Sequence, residues 1–370
     1  MSSEQLQRLA GIVDRWVKDG SMQGVSYVVM RKGKIVAHEV FGKAVDAPEP
    51  VPVTKETIFG LASLSKIVMG TAAMILIDRG ELSLDDTIAD LLPDFSSKGK
   101  GVITVKQLLT HSSGMGWIPD VNMIADLMAR EASEEEWKQA AREAPLTFEP
   151  GTAVEYSPSL GPAILKWRVE KKTGMEIEEF CQKKIFGPLG MKDTSFRPRR
   201  EVWPRIAKLP ASAGAVVVGL ANSEYARTRL TAVWGSLFST PEDIARLMQA
   251  YLNGGELGGY RLLSSDMVSL GTRVHTESIP LKPMAPGEMG FLFTVKGERS
   301  GFMTWRFGDM TSPATFGFGG GNYTWAWVDP ERELVAVFFS NTPAGDDAAV
   351  ERREQMRVFA DTVVSAVLPE

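Results

Sequence analysis

The chain has 370 residues, of which 44% are hydrophobic and 24% are charged. This balance is typical of a soluble globular protein and excludes a disordered, collagenous or coiled-coil chain, and the length favours roughly two domains. The 41 basic and 46 acidic residues leave a net charge of −5, which disfavours nucleic acid or an anionic membrane surface as a partner, because both attract cationic proteins.

The few cysteine and histidine residues limit the possible chemistry further. A single cysteine, Cys181, excludes an internal disulfide framework and a cysteine-based zinc site. The histidines His38, His111 and His275 leave little for a histidine-rich metal centre. The N-terminus carries charges throughout and lacks the apolar run of a secretory signal, and no stretch approaches the roughly 18 apolar residues of a membrane span. We therefore expect a cytoplasmic protein without a membrane partner.

The periodicity of apolar residues predicts the elements in chain order. A helix over residues 4–18 comes first, and two β-rich runs at 24–30 and 35–42 around a glycine-containing turn then form a hairpin. Helical patterns follow at 64–80, 122–145, 160–173, 176–187 and 241–253. A second hairpin spans 323–328 and 334–339, and a closing helix carries a stripe of Met356, Phe359, Val363 and Val367.

The two hairpins lie at opposite ends of the chain. Because an isolated hairpin is marginal in water, pairing both into one sheet is physically favoured. We expect an α+β fold with an antiparallel sheet flanked by the terminal helices and a mostly helical region inserted between its strands. The sheet domain would comprise residues 1–60 and 290–370, and the helical domain residues 61–289.

The first candidate for chemistry is Ser63-Leu64-Ser65-Lys66, at the start of the first central helix. Positions i and i+3 share a helical face, so Lys66 can remove the proton that makes Ser63 a poor nucleophile. Burial would lower the pKa of the lysine enough for that role. Roughly one such spacing is expected by chance in this chain, and a second copy occurs at Ser97 and Lys100 in a Ser/Gly/Lys-rich loop.

Two further segments carry candidate groups. Tyr156, in the polar stretch EPGTAVEYSP at 149–158, is either a phenolic acid/base or a buried tyrosine with one hydrogen bond. The run FGFGGG at 316–321 precedes a strand, where glycines allow a ligand to approach the backbone closely, although a bulge or turn explains them equally well. Asn322 breaks the dinucleotide-binding spacing, and no P-loop lysine follows.

In this order the segments resemble the serine β-lactamase/penicillin-binding-protein superfamily, in particular the branch of class C β-lactamases, family VIII-type carboxylesterases and related acyltransferases. The resemblance covers residues 24 to about 342. Six stretches carry it: IFGLASLSKIVMG around Ser63, ITVKQLLTHSSGM at 103–115, PGTAVEYS at 150–157, IFGPLGMKDTSF at 185–196, LFSTPEDIARLM at 237–248 and FGFGGGNYTWAWVDPERELVAVFFSN at 316–341.

The resemblance implies a role for each matching residue. Ser63 matches the acylated nucleophile, and Lys66 matches the lysine that shares its proton. Tyr156 matches the tyrosine that acts as a general base in acylation and in the proton relay of deacylation. The backbone amides of Ser63 and Gly321 match the oxyanion hole, and His111 falls in a stretch that we interpret as structural support.

Two departures from the family pattern bear on the substrate. Pro158 stands where the family has an asparagine that binds the substrate amide. Phe318-Gly319-Gly320 replaces the common Lys-Thr-Gly or His-x-Gly triplet, whereas some esterases carry Trp-Gly-Gly. Without these polar groups an uncharged ester suits the site better than a penicillin or a D-Ala-D-Ala peptide. We expect a serine hydrolase of carboxylic esters; the alternatives are an acyltransferase, a β-lactamase or D-amino-acid peptidase, and a non-catalytic binding protein of the same fold.

The expected substrate is therefore a small ester or acyl compound, no metal or organic cofactor is implied, and the oligomeric state stays open. Trp234 lies in a loop beside the site, and Trp325 and Trp327 are expected to pack in the core on one face of a strand. The candidate substrate-binding residues are Trp117, Phe318, Gly319 and Gly320.

Overall fold

A computed structural model of the chain describes residues 1–210, 219, 221–229, 233–342 and 349–368. Its strands are β1 Gly24–Arg31, β2 Lys34–Val45, β3 Val51–Pro52, β4 Phe59–Gly60, β5 Phe238–Ser239, β6 Glu256–Leu257, β7 Tyr260–Arg261, β8 Glu288–Met289, β9 Thr294–Val295, β10 Phe316–Gly319, β11 Trp325–Asp329 and β12 Leu334–Ser340. Its α-helices are α1 Ser3–Lys18, α2 Lys66–Asp78, α3 Ile88–Leu91, α4 Val105–Leu109, α5 Trp117–Ala129, α6 Glu134–Glu143, α7 Leu160–Thr173, α8 Ile177–Cys181, α9 Glu224–Thr228, α10 Pro241–Leu252, α11 Ser265–Thr272 and α12 Ala349–Ser365. Short 3₁₀ turns lie at Ala62–Ser65, Pro93–Phe95, Lys100–Val102, Arg200–Arg205 and Thr304–Phe307.

The main sheet is antiparallel and joins strands from both ends of the chain. Its strand order is β3-β2-β1-β12-β11-β10-β9-β8. Strand β1 lies between β2 and β12, with Val28 opposite both His38 and Val337. Because β1 and β12 are apolar at successive positions, both of their faces need cover, which places them at the centre of a layered structure. The α+β fold with a sheet built from both chain ends is confirmed.

The terminal helices cover one face of this sheet. The ring of Phe359 on α12 lies 5.4 Å from the ring of Tyr27 on β1 and 5.0 Å from that of Phe338 on β12. The backbone N–H of Ser2 donates to the carbonyl of Ala366 at 2.7 Å, so the two helices are joined where they meet. The predicted flanking of the sheet by both terminal helices is thus observed.

The opposite face of the sheet is covered by a helix that the expected domain boundary assigns to the inserted region. Helix α10 packs against β12, β11 and β1, and the ring of Tyr251 lies 6.2 Å from that of Phe316 on β10. Helix α10, which lies within residues 61–289, thus covers one face of the sheet. Helix α2 packs against β10, α7 and α11.

Most of the expected helices are present, with two differences in detail. The predicted helix over 122–145 is two helices, α5 and α6, separated where Glu131 has a φ of +48°. Ser133 starts the second helix through a capping box with Glu136, which satisfies the free N–H groups of its first turn. The segment 176–187 begins as α8 and continues as a π-helical turn over Gln182–Phe186.

The second Ser-x-x-Lys copy has a structural role. Ser97 Oγ and Lys100 Nζ each donate to the carbonyl of Arg142 at 3.0 Å, and Lys100 also donates to the carbonyl of Ala144 at 2.8 Å. These bonds satisfy carbonyls at the C-terminal end of α6. Across the described ranges, no helix combines the length and apolar character needed to cross a membrane.

Candidate active site

Ser63 lies in the 3₁₀ turn that leads into helix α2. Ala62, just before it, has a φ of +46°, an uncommon conformation for a residue with a side chain that recurs at functional sites. Ser65 holds this turn by donating to the carbonyl of Ala62 at 2.6 Å and accepting from the N–H of Leu237 at 3.2 Å. Ser63 itself is partly exposed, whereas Leu64 and Ser65 are buried. The turn therefore presents the Ser63 hydroxyl from an otherwise packed segment.

Lys66 lies one turn after Ser63 and is fully buried. Its Nζ donates to the backbone carbonyl of Trp234 at 3.0 Å. Burial lowers the pKa of Lys66 from its usual 10.5 to about 7, while the charge of Asp120 opposes this shift. A substantial fraction of Lys66 is thus a free amine at neutral pH, and a free amine can accept a proton.

Tyr156 completes the expected group of three. Its ring centre lies 5.0 Å from the Nζ of Lys66, and its buried hydroxyl forms no hydrogen bond that meets normal geometry within the described chain. Burial raises the pKa of the Tyr156 phenol. The side chain of Ser63, which can hydrogen-bond to the phenol, lowers this pKa by a smaller amount. The structure therefore brings Ser63, Lys66 and Tyr156 together and favours a neutral phenol.

Aromatic rings enclose Tyr156. Trp117 stacks on it at 5.7 Å, Phe302 meets it edge-on at 5.6 Å, and Phe318 lies 6.1 Å away. Trp117 is half-buried, and its contact with substrate stays a prediction. Phe318 is fully buried, so its side chain lies behind the phenol rather than on an open surface. Tyr156 and His111 pack against the Phe318 ring, and its contact with substrate stays a prediction.

His111 supports the tyrosine from behind. Its ring lies 5.0 Å from that of Tyr156, and its Nδ1 accepts a hydrogen bond from the N–H of Ser157 at 3.3 Å. Burial lowers the pKa of His111 to about 3, with the charge of Lys66 acting in the same direction. The imidazole is neutral at physiological pH, in agreement with the supporting role expected from the sequence.

A buried carboxylate near the site was missed by the sequence analysis. Asp120 on α5 accepts from Ser157 Oγ at 3.0 Å, from the N–H of Ser159 at 2.9 Å and from the N–H of Leu160 at 3.1 Å, and also from Ser159 Oγ. Burial raises the pKa of Asp120 and these bonds oppose that rise. Asp120 thereby fixes the segment that follows Tyr156, including the first amides of α7.

The glycine-rich segment after β10 is bonded directly to the backbone before Ser63. Asn322 donates through Nδ2 to the carbonyl of Gly60, and Thr324 donates through Oγ1 to the carbonyl of Leu61 at 2.6 Å. A Cβ at Gly320 would overlap the carbonyl of Leu61, so this approach requires glycine. Gly321 is exposed, and its N–H donates to no carbonyl within the described residues. The amide of Gly321 is therefore free at the place where the family pattern predicts an oxyanion donor.

Strand β9 covers part of the edge of β10 beside this segment. Among the described residues, Phe316 and Gly317 of β10 pair with β9, and Gly319 pairs with no strand on that side. Gly319 and Gly320 are buried. The guanidinium of Arg306 occupies the space that a Cβ on Gly319 would need. The sequence analysis did not single out Arg306.

The two predicted core tryptophans and Trp234 are accounted for. Trp325 and Trp327 are buried in β11, as expected. Trp234 is buried with its ring 5.5 Å from Trp137, and it acts at the site through its carbonyl rather than its ring.

The fold and this arrangement define a serine hydrolase of the β-lactamase and penicillin-binding-protein type. A family model described as Beta-lactamase matches residues 9–361, and the chain belongs to that family. A protein of Escherichia coli strain K12 named "Putative D-alanyl-D-alanine carboxypeptidase" is 27% identical over 380 residues, which cover 93% of this chain and 85% of that protein.

Solved structures share the fold. One titled as a family VIII carboxylesterase superposes with a TM-score of 0.77 at 20% identity, covering 99% of this chain and 98% of the other. EstCE1, titled as a hydrolase with promiscuous acyltransferase activity, superposes with a TM-score of 0.78 at 19% identity, covering 97% and 98% of the two chains. At these identities the likeness establishes the fold alone.

Proposed function

We propose that the protein hydrolyses carboxylic esters through an acyl-enzyme on Ser63. The observation that carries this proposal is the position of Lys66, a buried amine with a pKa of about 7, one helical turn from a partly exposed serine and 5.0 Å from the ring of Tyr156. A base whose pKa lies near the working pH is well suited to proton transfer.

In the proposed first step, Ser63 Oγ attacks the ester carbonyl and neutral Lys66 accepts its proton. The C–O bond to the alcohol then breaks, and the phenol of Tyr156 gives the alcohol its proton, with Lys66 returning a proton to Tyr156. Water attacks the acyl-enzyme by the reverse sequence of transfers, which releases the carboxylic acid and restores Ser63. This assignment makes Lys66 the base and Tyr156 the relay, because burial favours the neutral form of both groups.

The oxyanion formed at each attack needs donors that are in place beforehand. We assign this role to the backbone amides of Ser63 and Gly321. The bonds from Asn322 and Thr324 to the backbone of Gly60 and Leu61 support the assignment, since they hold the glycine segment against the turn that carries the nucleophile. Donors fixed in this way stabilise charge that develops in the transition state.

An ester is favoured over a β-lactam or peptide because the groups that would bind an amide are absent. Pro158 has no side-chain amide, and Phe318 carries no charge and is fully buried. An amide substrate would leave its own polar groups unpaired at these positions, so the site would not favour a β-lactam or peptide over an ester. Because the E. coli relative is named a D-alanyl-D-alanine carboxypeptidase, D-amino-acid peptidase activity is the main alternative to ester hydrolysis that an experiment must test.

Acyl transfer to an alcohol is a second candidate, favoured by one specific observation. Trp117 forms a half-buried aromatic rim stacked on Tyr156, where an acceptor alcohol with an apolar body can bind in place of water. The fold is also that of EstCE1, whose title describes acyltransferase activity. Measuring the ratio of ester product to free acid with added alcohols separates transfer from hydrolysis.

Labelling with an active-site serine phosphonate, followed by intact-protein mass spectrometry, tests the acyl-enzyme. We expect one adduct on the wild type, none on Ser63→Ala, and one on Ser97→Ala, the matched change in the second Ser-x-x-Lys copy. An equal adduct on Ser63→Ala would overturn the mechanism. A panel of p-nitrophenyl esters, nitrocefin and a D-Ala-D-Ala peptide then tests the substrate class, and faster turnover of nitrocefin than of the esters would reject the ester assignment.

A further inference from the structure

Glu155 precedes Tyr156 in the chain, and its carboxylate takes no part in the proposed proton transfers. Its Oε2 accepts from Lys282 Nζ at 3.2 Å and from Thr147 Oγ1 at 3.4 Å. The side chain of Glu155 is 15% exposed and that of Lys282 is 35% exposed. A partly buried ion pair is screened less by salt than an exposed one. The carboxylate therefore joins two distant segments of the chain at the residue next to the phenol.

The segment that carries Lys282 runs alongside the segment that carries Tyr156, with Val154 and Leu281 bridged in parallel. Three backbone bonds join residues 154–156 to residues 280–284: Val154 N–H to the carbonyl of Pro280 at 2.8 Å, Lys282 N–H to that of Val154 at 3.0 Å, and Tyr156 N–H to that of Met284 at 2.9 Å. The ion pair adds a side-chain bond to this pairing. A movement of residues 280–284 would therefore also move the backbone of Tyr156.

The same carboxylate lies beside the start of helix α5. A Cβ at Gly116 would lie 2.8 Å from Glu155 Oε2 and would overlap Thr147 Oγ1. The φ of Gly116 is −86°, which any residue adopts, so it is the lack of space that requires glycine here. The next residue, Trp117, stacks on the ring of Tyr156 at 5.7 Å. Glu155 thus borders both the backbone that carries the phenol and the helix start that carries its stacking partner.

The position of the phenol depends on this packing. Within the described residues, the hydroxyl of Tyr156 forms no hydrogen bond of normal geometry. The backbone and the surrounding rings therefore determine where the hydroxyl lies. A displacement of about 1 Å in a reacting group can lower a rate by about 10²-fold.

We propose that the ion pair of Lys282 and Glu155 holds Tyr156 where it can give a proton to the leaving alcohol. This inference rests on the proposed function and deepens it, because it assigns two positioning residues to the same site. An alkoxide leaves poorly without a proton, whereas p-nitrophenolate is a weak base and leaves without one. The ion pair therefore determines how well the protein hydrolyses esters of weakly acidic alcohols.

Two esters with the same acyl group test the proposal, p-nitrophenyl butyrate and 4-nitrobenzyl butyrate. The measured quantity is kcat/KM, because it contains only the steps up to release of the alcohol. Lys282→Met should lower kcat/KM for the nitrobenzyl ester by about tenfold to 10²-fold, with little change for the nitrophenyl ester. Glu155→Gln should show the same selective loss, and Lys282→Arg should restore most of the activity. A loss of equal size for both esters, or for neither, would overturn the proposal.

Arg332→Met is the matched control. Arg332 pairs with Asp329 at 3.0 Å and is 33% exposed, but it lies in the turn after β11, at the other end of that strand from Gly321. This variant should leave the ratio of the two esters unchanged. In the Tyr156→Phe background, Lys282→Met should cause no further loss, because the group that it positions is already absent. A further loss of the same size would show that the pair acts on another group and would overturn the proposal.

A spectroscopic measurement separates this result from a failure of the esterase proposal. The chain has six tyrosines, so protein labelled with 3-fluorotyrosine should give six ¹⁹F resonances, and Tyr156→Phe identifies the one from Tyr156. We expect this resonance to shift in Lys282→Met and to stay in place in Arg332→Met. If the wild type hydrolyses neither ester, the proposed function fails, and the resonance alone decides on the ion pair. An unchanged Tyr156 resonance in Lys282→Met would exclude the positioning role.

Discussion

The Nζ of Lys66 lies 5.0 Å from the centre of the Tyr156 ring, and both side chains are buried. Burial penalises a charge on either group, so it lowers the pKa of the amine and raises that of the phenol. Both effects favour a neutral pair over an ammonium–phenolate pair. This relationship makes the amine the stronger candidate for the base that activates Ser63.

The pH dependence of the reaction should report the protonation of Lys66. Only the unprotonated amine can accept the proton of Ser63, so kcat/KM should rise with pH and level off above the pKa of about 7. Below that pH, activity should fall about tenfold per pH unit. Initial rates on a neutral ester between pH 5 and 9 measure this profile, and a rate that is flat or decreasing with pH across pH 7 would contradict the assignment.

Replacing Lys66 by an apolar side chain should lower the activity and raise the stability of the protein. In the unfolded chain Lys66 keeps its proton up to about its usual pKa of 10.5, whereas in the folded protein it loses it near 7. Folding is therefore penalised fully below pH 7, and the penalty disappears as the pH rises towards 10.5. Lys66→Met should raise the free energy of unfolding at pH 6 by about 2–4 kcal/mol, given about 1.4 kcal/mol per pKa unit and the loss of the bond to Trp234.

The same variant should lower kcat by about 10²-fold or more, as loss of a proton-transfer group does. Urea unfolding at pH 6 and pH 9 and ester turnover measure the two effects. Lys100→Met is the matched control, because Lys100 is also buried and donates to backbone carbonyls but lies outside the site. It should keep the turnover number and lose stability. Near-normal turnover by Lys66→Met would remove Lys66 from the mechanism.

Removing the hydroxyl of Tyr156 should lower activity without lowering stability, whereas removing the hydroxyl of a core tyrosine should lower stability without lowering activity. Tyr156→Phe should lower kcat by about 10²-fold or more, yet keep or gain stability, because within the described residues the buried hydroxyl forms no hydrogen bond of normal geometry. Tyr251→Phe should keep its activity and lose stability, since that hydroxyl bonds to Thr71 at 2.7 Å. Thermal unfolding and turnover of both variants measure the contrast, and unchanged turnover of Tyr156→Phe would exclude a proton relay through it.

The buried carboxylate on α5 should act on the site through charge and through positioning. Asp120 raises the pKa of Lys66, so Asp120→Asn should move the rising limb of the pH profile to lower pH. The N–H groups of Ser159 and Leu160 donate to the Asp120 carboxylate, and an asparagine amide in its place can face them with its own N–H donors. The loss of these hydrogen bonds should cost about 1–3 kcal/mol of stability. Asp126→Asn on the same helix is the control, because that carboxylate is 69% exposed. A limb that moves to higher pH would show that Asp120 does not act on Lys66 as a negative charge.

The oxyanion segment should depend on its two bonds to the backbone before Ser63. Asn322→Ala removes the donor to the carbonyl of Gly60. We expect kcat to fall by about tenfold to 10²-fold with little change in KM, because the amide of Gly321 acts mainly in the transition state. Asn253→Ala should leave kcat unchanged, since Asn253 donates to the carbonyl of Glu256, far from the site in sequence and fold. An effect confined to KM would place Asn322 in substrate binding instead.

Local sequence signals predicted the residues that share a motif or a periodic pattern. Ser63 and Lys66 are close because one helical turn separates them, and the central hairpins follow from alternating and continuous apolar runs. The capping box of Ser133 and Glu136 was readable too, and it explains the break that the prediction of one helix over 122–145 missed.

Other parts of the site depend on contacts between distant segments, which a single sequence does not contain. Asp120 meets the segment after Tyr156 through tertiary packing, and Trp234 acts through a carbonyl that any residue would supply. Arg306 lies in a stretch without regular periodicity, and its signal was indirect: a glycine at 319 leaves room for a side chain from elsewhere. Apolar periodicity likewise does not say which surface α10 covers.

The pairing of β1 with β12 has a consequence for how the molecule is made. Strands β2 to β11 are synthesised between β1 and its partner β12. Until β12 is synthesised, the apolar edge of β1 is unsatisfied and can pair with a foreign strand. Loop closure over such a separation is also slow. During synthesis, β1 therefore has one apolar edge unpaired until β12 has been translated, and only then can the central pair of the sheet form.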